Sequence, residues 1–458
     1  MLSSEISRRT LLAALVTAGA GFSVWPRKPR GRAAAPPGRV VLTYWEKWTG
    51  PEALTIQNIV DRYNAAQSRV WVQRVTVSEI REKAMLAIAG GDPPDIVGLY
   101  SYNIPNYAEA GAFIPLSEFA GRGALPEDHY APGVWKLLTH EGRHWAGVNG
   151  CFSFAFYYNR GHFRDVGLNP DAPPRTVAEL DQCAERLTRY DANGRLQQIG
   201  FLPSIPSWWP HIWPVMFGGR LFDATTNRAT LTDAACVAAY EWVRSWPGRF
   251  RPETLGGIAS SFEGAYHTAQ DPFLSQRVSM IAQGPWMANF RRTYAPSLDF
   301  GVVPLPPIES LYDSAAPVGM LECDILAIPR GCRHPEEAYA FLRFTQSREM
   351  QELLAIGHCK PSPLREQSAD FAVSHPNPFV AVHGAILNSP RAQIAPQTRV
   401  WPEFTISLEN AFDAIWAGDD VRRTLGAVNR HIQQKLDRAA ERREKRRGRS
   451  SLPAGAPA

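Results

Sequence analysis

The chain has 458 residues, of which 45% are hydrophobic, 20% charged and 11% aromatic. These proportions exclude a wholly disordered chain, a collagen-like repeat and a small disulfide-stapled scaffold, and the length exceeds what one hydrophobic core usually serves. The net charge of +5 is concentrated at the ends: residues 1–39 hold seven basic residues and one acid, residues 437–458 seven and three, which leaves 40–436 at −5. A mildly acidic body lacks the phosphate-neutralising charge that nucleic-acid binding requires, so that class is excluded.

Ser7-Arg8-Arg9-Thr10-Leu11-Leu12 opens an uncharged run from Leu11 to Trp25. As a helix this run would reach about 22 Å, short of the ~30 Å hydrocarbon core, so a signal segment fits better than a permanent span. The paired arginines followed by Leu-Leu resemble a twin-arginine export signal, and Ala33-Ala34-Ala35 offers a small-residue cleavage site. Residues 1–35 are therefore expected to be a signal segment and the mature chain to be periplasmic or otherwise extracytoplasmic. The basic cluster Arg27–Arg32 leaves an uncleaved membrane anchor open as the alternative. At the other end, residues 437–458 read as a basic, disordered tail that continues a helix from about Thr424. Export permits disulfides among Cys151, Cys183, Cys236, Cys323, Cys332 and Cys359, but the spacing does not choose a pairing.

The body alternates strand-like and helical stretches. Arg39–Trp45, Val70–Val77 and Asp95–Tyr100 predict strands, and Pro51–Gln67 and Glu79–Ala89 predict helices. Such βαβ alternation points to an α/β fold with a largely parallel sheet. A strand is expected over Phe154–Asn159, then a helix over Thr176–Tyr190 with Thr176 as N-cap and Glu179 in the capping-box position. Asp233–Trp246 predicts a helix, Arg277–Gln283 and Asp299–Pro304 strands, and Pro335–Thr345 and Gln346–Ile356 helices.

No catalytic pattern stands out. His140-Glu141-Gly142-Arg143-His144 matches a zinc-protease spacing, but the motif needs a helix, and its internal glycine predicts a hairpin turn instead. A phosphate-binding loop and a nucleophile elbow are both lacking, and no catalytic residue, metal site or cofactor is expected. What does gather is aromatic. Trp45 and Trp48 flank Glu46 and Lys47; Tyr100 and Tyr102 precede Asn103; Trp208, Trp209 and Trp213 stand in one short segment; Trp286 follows Gly-Pro; and Trp401 follows Arg399. A sugar ring offers one apolar C–H face to an indole and a rim of hydroxyls to carboxylates, amides and guanidinium groups. The candidate ligand-binding residues are therefore Trp45, Glu46, Trp48, Tyr100, Tyr102, Asn103, Trp208, Trp209, Trp286, Glu322, Arg399 and Trp401.

A series of fragments in fixed order carries a family resemblance. It runs through Ala89-Gly-Gly-Asp-Pro-Pro-Asp95, Tyr107-Ala-Glu-Ala-Gly-Ala-Phe-Ile-Pro-Leu116, Phe156-Tyr-Tyr-Asn159 and Phe217-Gly-Gly-Arg-Leu-Phe222. Gln283-Gly-Pro-Trp286, Phe300-Gly-Val-Val-Pro-Leu305 and Leu326-Ala-Ile-Pro-Arg-Gly331 complete it. Over about residues 40–430 the chain resembles the family 1 extracellular solute-binding proteins, the maltose-binding type that serves ABC importers. The resemblance implies the two-lobed periplasmic-binding-protein fold (type II) with a ligand cleft between the lobes. It places the crossings near 150–154, 304–320 and 355–365, one lobe over 40–150 plus 315–355 and the other over 151–305 plus 360–435. It also implies that Trp286 stacks on sugar, that the protein is a monomer without turnover, and that it closes about its hinge on a sugar or oligosaccharide and delivers it to the transmembrane permease subunits. A phosphorylated polyol, with Arg399 and Lys47 as the recognising cations, a ligand-sensing subunit and a secreted carbohydrate-active enzyme remain as alternatives.

Overall fold

The computed structural model of the protein describes residues 35–250, 262 and 264–450, with side chains described as far as residue 445. Most of the expected signal segment and the last eight residues lie outside the described residues. Among the described residues no helix is long and apolar enough to cross a membrane.

The strands that organise the molecule are β1 (Val40–Glu46), β2 (Val70–Thr76), β3 (Ile96–Tyr100), β4 (Gly147–Ser153) and β5 (Ala155–Asn159), followed by β6 (Met280–Gln283), β7 (Phe300–Val303), β8 (Gly319–Ala327) and β9 (Ala392–Ile394). β1 pairs in parallel with β2 and β3 and shows the alternation of a strand with two different faces: Leu42, Tyr44 and Glu46 point inward. The helix Gly50–Ala66 covers that face with Ile56, Ile59, Val60 and Tyr63, and Tyr63 packs edge-on against Phe341 at 5.1 Å. β8 is buried along its whole length. It runs antiparallel to β3 and β4 and parallel to β9, making a six-stranded sheet.

β5 stands at the centre of a separate three-stranded sheet, with β6 and β7 antiparallel on either side. The expected predominance of parallel pairing is thus corrected. The βαβ rule holds for β1 to β3, but β8 returns from the smaller sheet in the opposite direction, and the smaller sheet is antiparallel throughout. The expected lobe boundary at 150/151 falls inside β4, and β9, from the 360–435 stretch, extends the larger sheet. The expected helix from about Thr424 forms as Val421–Ser450; it carries residues 437–450 as helix where the expected tail was disordered, and it is held to the body by buried Leu425, Ile432, Leu436 and Ala439. These positions keep helical spacing through the charge run, so one face stays apolar as far as Ala439.

The predicted N-cap forms: Thr176 Oγ1 accepts from the Glu179 amide at 3.2 Å at the start of the helix Val177–Leu187. The His140–His144 segment is a two-stranded hairpin turning at Glu141 and Gly142, both with positive φ. His140 faces Glu109 while His144 bonds the Ala146 carbonyl, so the two rings share no ligand position.

Candidate functional site

A cavity of about 750 Å³ opens between segments that leave the two sheets. From the larger sheet come Trp48, two residues beyond β1, and Tyr100 and Tyr102 at the end of β3. Tyr100 and Tyr102 stack in parallel at 5.2 Å, and Trp48 meets Tyr100 edge-on at 6.3 Å. From the smaller sheet's side come Trp286, just after β6, and Trp208 and Trp209. Trp209 lies 5.9 Å from Trp286, which also meets Phe152 of β4 at 5.2 Å. Trp401 closes a further side, with His211 edge-on at 5.6 Å.

The Gln-Gly-Pro-Trp segment explains how Trp286 is held. Its indole N–H donates to Gln283 Oε1 at 3.0 Å, and a Cβ on Gly284 would overlap the indole ring. The ring therefore folds back over a backbone with no side chain beneath it, leaving an aromatic face toward the cavity. Three buried polar atoms in the lining have no hydrogen-bond partner among the described residues: Trp48 Nε1, His211 Nε2 and His267 Nε2. Unsatisfied groups of this kind cost free energy unless something outside the fold pairs with them.

Beneath the aromatic wall lies a charged floor. Asp324 of β8 is fully buried, 2.7 Å from Lys360 Nζ and 3.1 Å from Lys47 Nζ. Burial alone would raise the Asp324 pKa, but the two ammonium groups overrule it and hold the carboxyl below its ordinary value. Lys360 sits just past the helix Arg348–His358, where Cys359 adopts the left-handed conformation and turns the chain inward. Both ammonium groups also lie over Trp48, Lys47 at 5.0 Å and Lys360 at 4.8 Å. Glu322, two residues before Asp324 on the same strand face, behaves differently. Burial, then the Asp324 charge, pushes its carboxyl up to about 8, while burial pushes His211, 4.0 Å away, down to about 4. At neutral pH the two groups are a neutral acid and a neutral imidazole, each able to donate and accept hydrogen bonds.

Eight of the twelve residues singled out in the sequence line the cavity: Trp48, Tyr100, Tyr102, Trp208, Trp209, Trp286, Glu322 and Trp401. The other four do not. Trp45 points to the opposite face of β1 from Tyr44 and Glu46 and packs into the main core. Glu46 is inaccessible, accepting from the Tyr44 hydroxyl, from Asn149 Nδ2 at 2.8 Å and from the Lys47 amide at 2.8 Å, in space that a side chain on Gly98 would occupy. Asn103 is spent on the local turn, its Oδ1 accepting from the Tyr100 amide at 3.2 Å. Arg399 turns toward buried Glu109, 3.7 Å away. Trp213, from the same segment as Trp208, is core. Sequence reading missed Phe152, His211, His267, Phe290 and Lys360. His211 alone stood within an aromatic segment already noted, Trp208 to Trp213. Among the described residues no group of three or more His, Cys, Asp or Glu side chains could hold a metal ion. A second concavity, of about 370 Å³ near Tyr63 and Tyr339, is bordered by charges already paired, Arg69 with Glu337 and Arg122 with Glu336.

The family model of the bacterial extracellular solute-binding proteins matches residues 48–352, more than half of the chain. The chain belongs to this family. It is 24% identical over 330 residues to the maltotriose-binding protein of Pyrococcus abyssi (strain GE5 / Orsay), an alignment covering 70% of this chain and 65% of that protein. It is 27% identical over 153 residues to the sn-glycerol-3-phosphate-binding periplasmic protein UgpB of Rhizobium meliloti (strain 1021), covering 32% of this chain and 36% of the relative. The chain thus spans less than two thirds of the length of these relatives. Among solved structures, a protein described as CpMnBP1 with mannotriose bound superposes with a TM-score of 0.74 at 24% identity, over 86% of this chain and 100% of the other. The cyclic alpha-maltosyl-1,6-maltose binding protein from Arthrobacter globiformis does so with a TM-score of 0.68 at 19% identity, over 87% and 99%. These likenesses establish the two-lobed fold of the family.

Proposed function

We propose that this solute-binding protein captures a neutral sugar or oligosaccharide in the aromatic cavity and hands it to the permease of an ABC importer, without chemical turnover. The carrying observation is the composition of the cavity: ring faces from both sheets, with three unpartnered polar atoms and a neutral carboxylic acid among them. Stacked rings each contribute about 1 kcal/mol beyond their buried area, and the unpartnered atoms would find their hydrogen bonds in sugar hydroxyls. The relatives and neighbours named for binding maltotriose, mannotriose and a cyclic maltose support the same class.

In this reading β1 to β4 with β8 and β9 form one lobe and β5 to β7 the core of the other. The ligand selects a closed arrangement because only that arrangement brings Trp48, Tyr100 and Tyr102 against it together with Trp209 and Trp286. Residues 1–35 would direct a monomeric binding protein across the membrane by a twin-arginine route. A phosphorylated polyol, as the name of the Rhizobium relative suggests, fits less well. The two cations that would recognise it are engaged elsewhere, Lys47 with Asp324 and Arg399 with Glu109.

Titration of intrinsic tryptophan fluorescence with mono-, di- and trisaccharides, polyols and glycerol phosphates tests the proposal. A saturable change with one sugar class, and no product released, is the expected outcome. A response confined to the phosphates, or cleavage of the sugar, would overturn it.

A further inference from the structure

Two of the six cysteines meet across paired strands. Cys151 of β4 and Cys323 of β8 stand directly opposite each other in antiparallel register, both fully buried. The hydrogen bonding fixes which kind of pair they form. Leu321 lies opposite both Ile394 and Ser153, and Asp324 opposite both Tyr100 and Gly150, so β3 and β9 share one edge of β8 and β4 takes the other. The Cys323 amide donates to Ser101 Oγ at 3.3 Å, just beyond the end of β3 and therefore away from β4. Because N–H and C=O of one strand residue face the same edge, Cys151 and Cys323 are a non-hydrogen-bonded pair. Such pairs have Cα atoms about 4.5 Å apart and side chains drawn together, within the ~4.4–6.8 Å that a disulfide bridges. Three of the other thiols lie against polar partners elsewhere: Cys332 against Asp95 at 3.4 Å, Cys359 against Asn289 at 3.1 Å and Cys236 against the Arg220 carbonyl at 3.2 Å.

We propose that Cys151 and Cys323 are a cross-strand disulfide site, closed by exchange with a small disulfide oxidant such as oxidised glutathione. One cysteine thiolate attacks the glutathione disulfide, forming a mixed disulfide and expelling one glutathione thiolate. The second cysteine, having lost its proton, attacks the protein sulfur of that intermediate and expels the second glutathione. The two cysteines are together oxidised by two electrons, the oxidant is reduced by two, and the two protons leave on the glutathione thiols. Burial pushes both cysteine thiols up, so the fully folded protein reacts slowly and the chain closes the bond most readily while it folds. The Cys151 thiol now donates to the Pro361 carbonyl at 3.3 Å, a weak bond that closure gives up. In return β4, on the edge of β8, is tied to it at the position next to the Phe152–Glu322 pair, both of which line the cavity. The proposal does not depend on the identity of the ligand.

The test uses the full chain, refolded from urea with and without oxidised glutathione, blocked with N-ethylmaleimide, digested and analysed by mass spectrometry. A reducible peptide joining Cys151 to Cys323 is expected in the oxidised sample. The thermal midpoint should then fall by about 5 °C or more when the bond is reduced, and Cys323→Ala should abolish that difference. Recovery of both cysteines as free thiols after refolding in oxidant, or of either one joined to a different cysteine, would overturn the proposal.

Discussion

The aromatic wall and the charged floor of the cavity are built in opposite ways. In the floor every ionic group finds its partner inside the protein: Asp324 between Lys47 and Lys360, and Glu46 against Tyr44, Asn149 and the Lys47 backbone. In the wall, ring faces are held in place but left uncovered, and His211, His267 and Trp48 keep polar atoms without partners among the described residues. A satisfied network resists rearrangement and offers a ligand little, whereas an unsatisfied surface carries a cost that an incoming hydrogen-bond partner relieves. Under the proposed function the two regions divide the work, the floor fixing the shape and the wall meeting the ligand. Substitutions should separate stability from affinity along the same line.

The largest effect is expected in the floor. Asp324→Asn removes the carboxylate shared by two buried ammonium groups, leaving Lys47 with Glu46 at 3.4 Å and Lys360 without its ion-pair partner. Breaking a buried ion pair in this way costs about 3–5 kcal/mol, so chemical denaturation should show the midpoint displaced far toward low denaturant. If stability were unchanged, the floor would not be the scaffold described here. Replacing Lys360 by methionine together with Asp324→Asn should recover part of the loss, because it removes the ammonium group left without a carboxylate while Lys47 keeps Glu46.

Glu322 lies between the two regimes: it is on the floor strand but ionises with difficulty. Its folded pKa, about 8, is raised above the ordinary value of 4.5. The contribution to stability is thus fully present below about pH 4.5 and is lost progressively as the pH rises to about 8, since the unfolded chain gives up the proton first. His211 works in the other direction. Its folded pKa is depressed to about 4, so its contribution is present above about 6.5 and lost as the pH falls toward 4. Above about pH 6.5 the Glu322 effect stands alone of the two. Between about pH 6.5 and 8 the wild type should lose stability relative to Glu322→Gln, whose amide stays neutral. Parallel stability curves for the two proteins would mean that Glu322 is ionised in the fold already.

The wall should show the converse behaviour. Trp286→Ala removes a partly exposed ring, and ligand affinity should fall by about tenfold to a hundredfold, the equivalent of roughly 1.4–2.8 kcal/mol. Gly284→Ala should reproduce much of that loss while keeping Trp286 in the sequence, because the new methyl group takes the place of the ring and displaces it. If binding survived both changes, Trp286 would not face the ligand. Equilibrium titration followed by tryptophan fluorescence measures either outcome, with Trp209 and Trp48 left as reporters.

How much of this was legible in the sequence follows from where each residue finds its partner. The N-cap at Thr176 could be read because its acceptor and donor are three residues apart, and the Gly-Pro-Trp segment because Gln283, Gly284 and Trp286 together set the ring. The helix and strand pattern from Val40 to Tyr100 was equally local, as was the hairpin at Glu141 and Gly142. Glu46 and Arg399 looked like ligand groups because their partners are remote: Asn149 lies 103 residues from Glu46, and Glu109 belongs to a different helix from the one Arg399 precedes. Lys360 and His267 were silent for the same reason, since nothing near them in the chain signals a cavity. The direction of β8 was illegible too, because local periodicity gives the strand but not the edge it joins.

The smallest expected effect offers the sharpest control on the division between floor and wall. Thr176 caps the helix Val177–Leu187, whose Leu180, Ala184 and Leu187 are buried, and Thr176 is not among the residues that line the cavity. Thr176→Ala leaves the Glu179 amide without its acceptor and should cost about 1 kcal/mol of stability. Ligand affinity should stay within error of the wild type, since the helix remains docked through its buried face while its first turn frays. A stability loss with unchanged affinity would show that weakening the scaffold does not by itself weaken recognition, and the Trp286 result could then be assigned to the lost ring face. A parallel loss of affinity would mean instead that binding tracks overall stability, and that scaffold and recognition surface are not separable in this molecule.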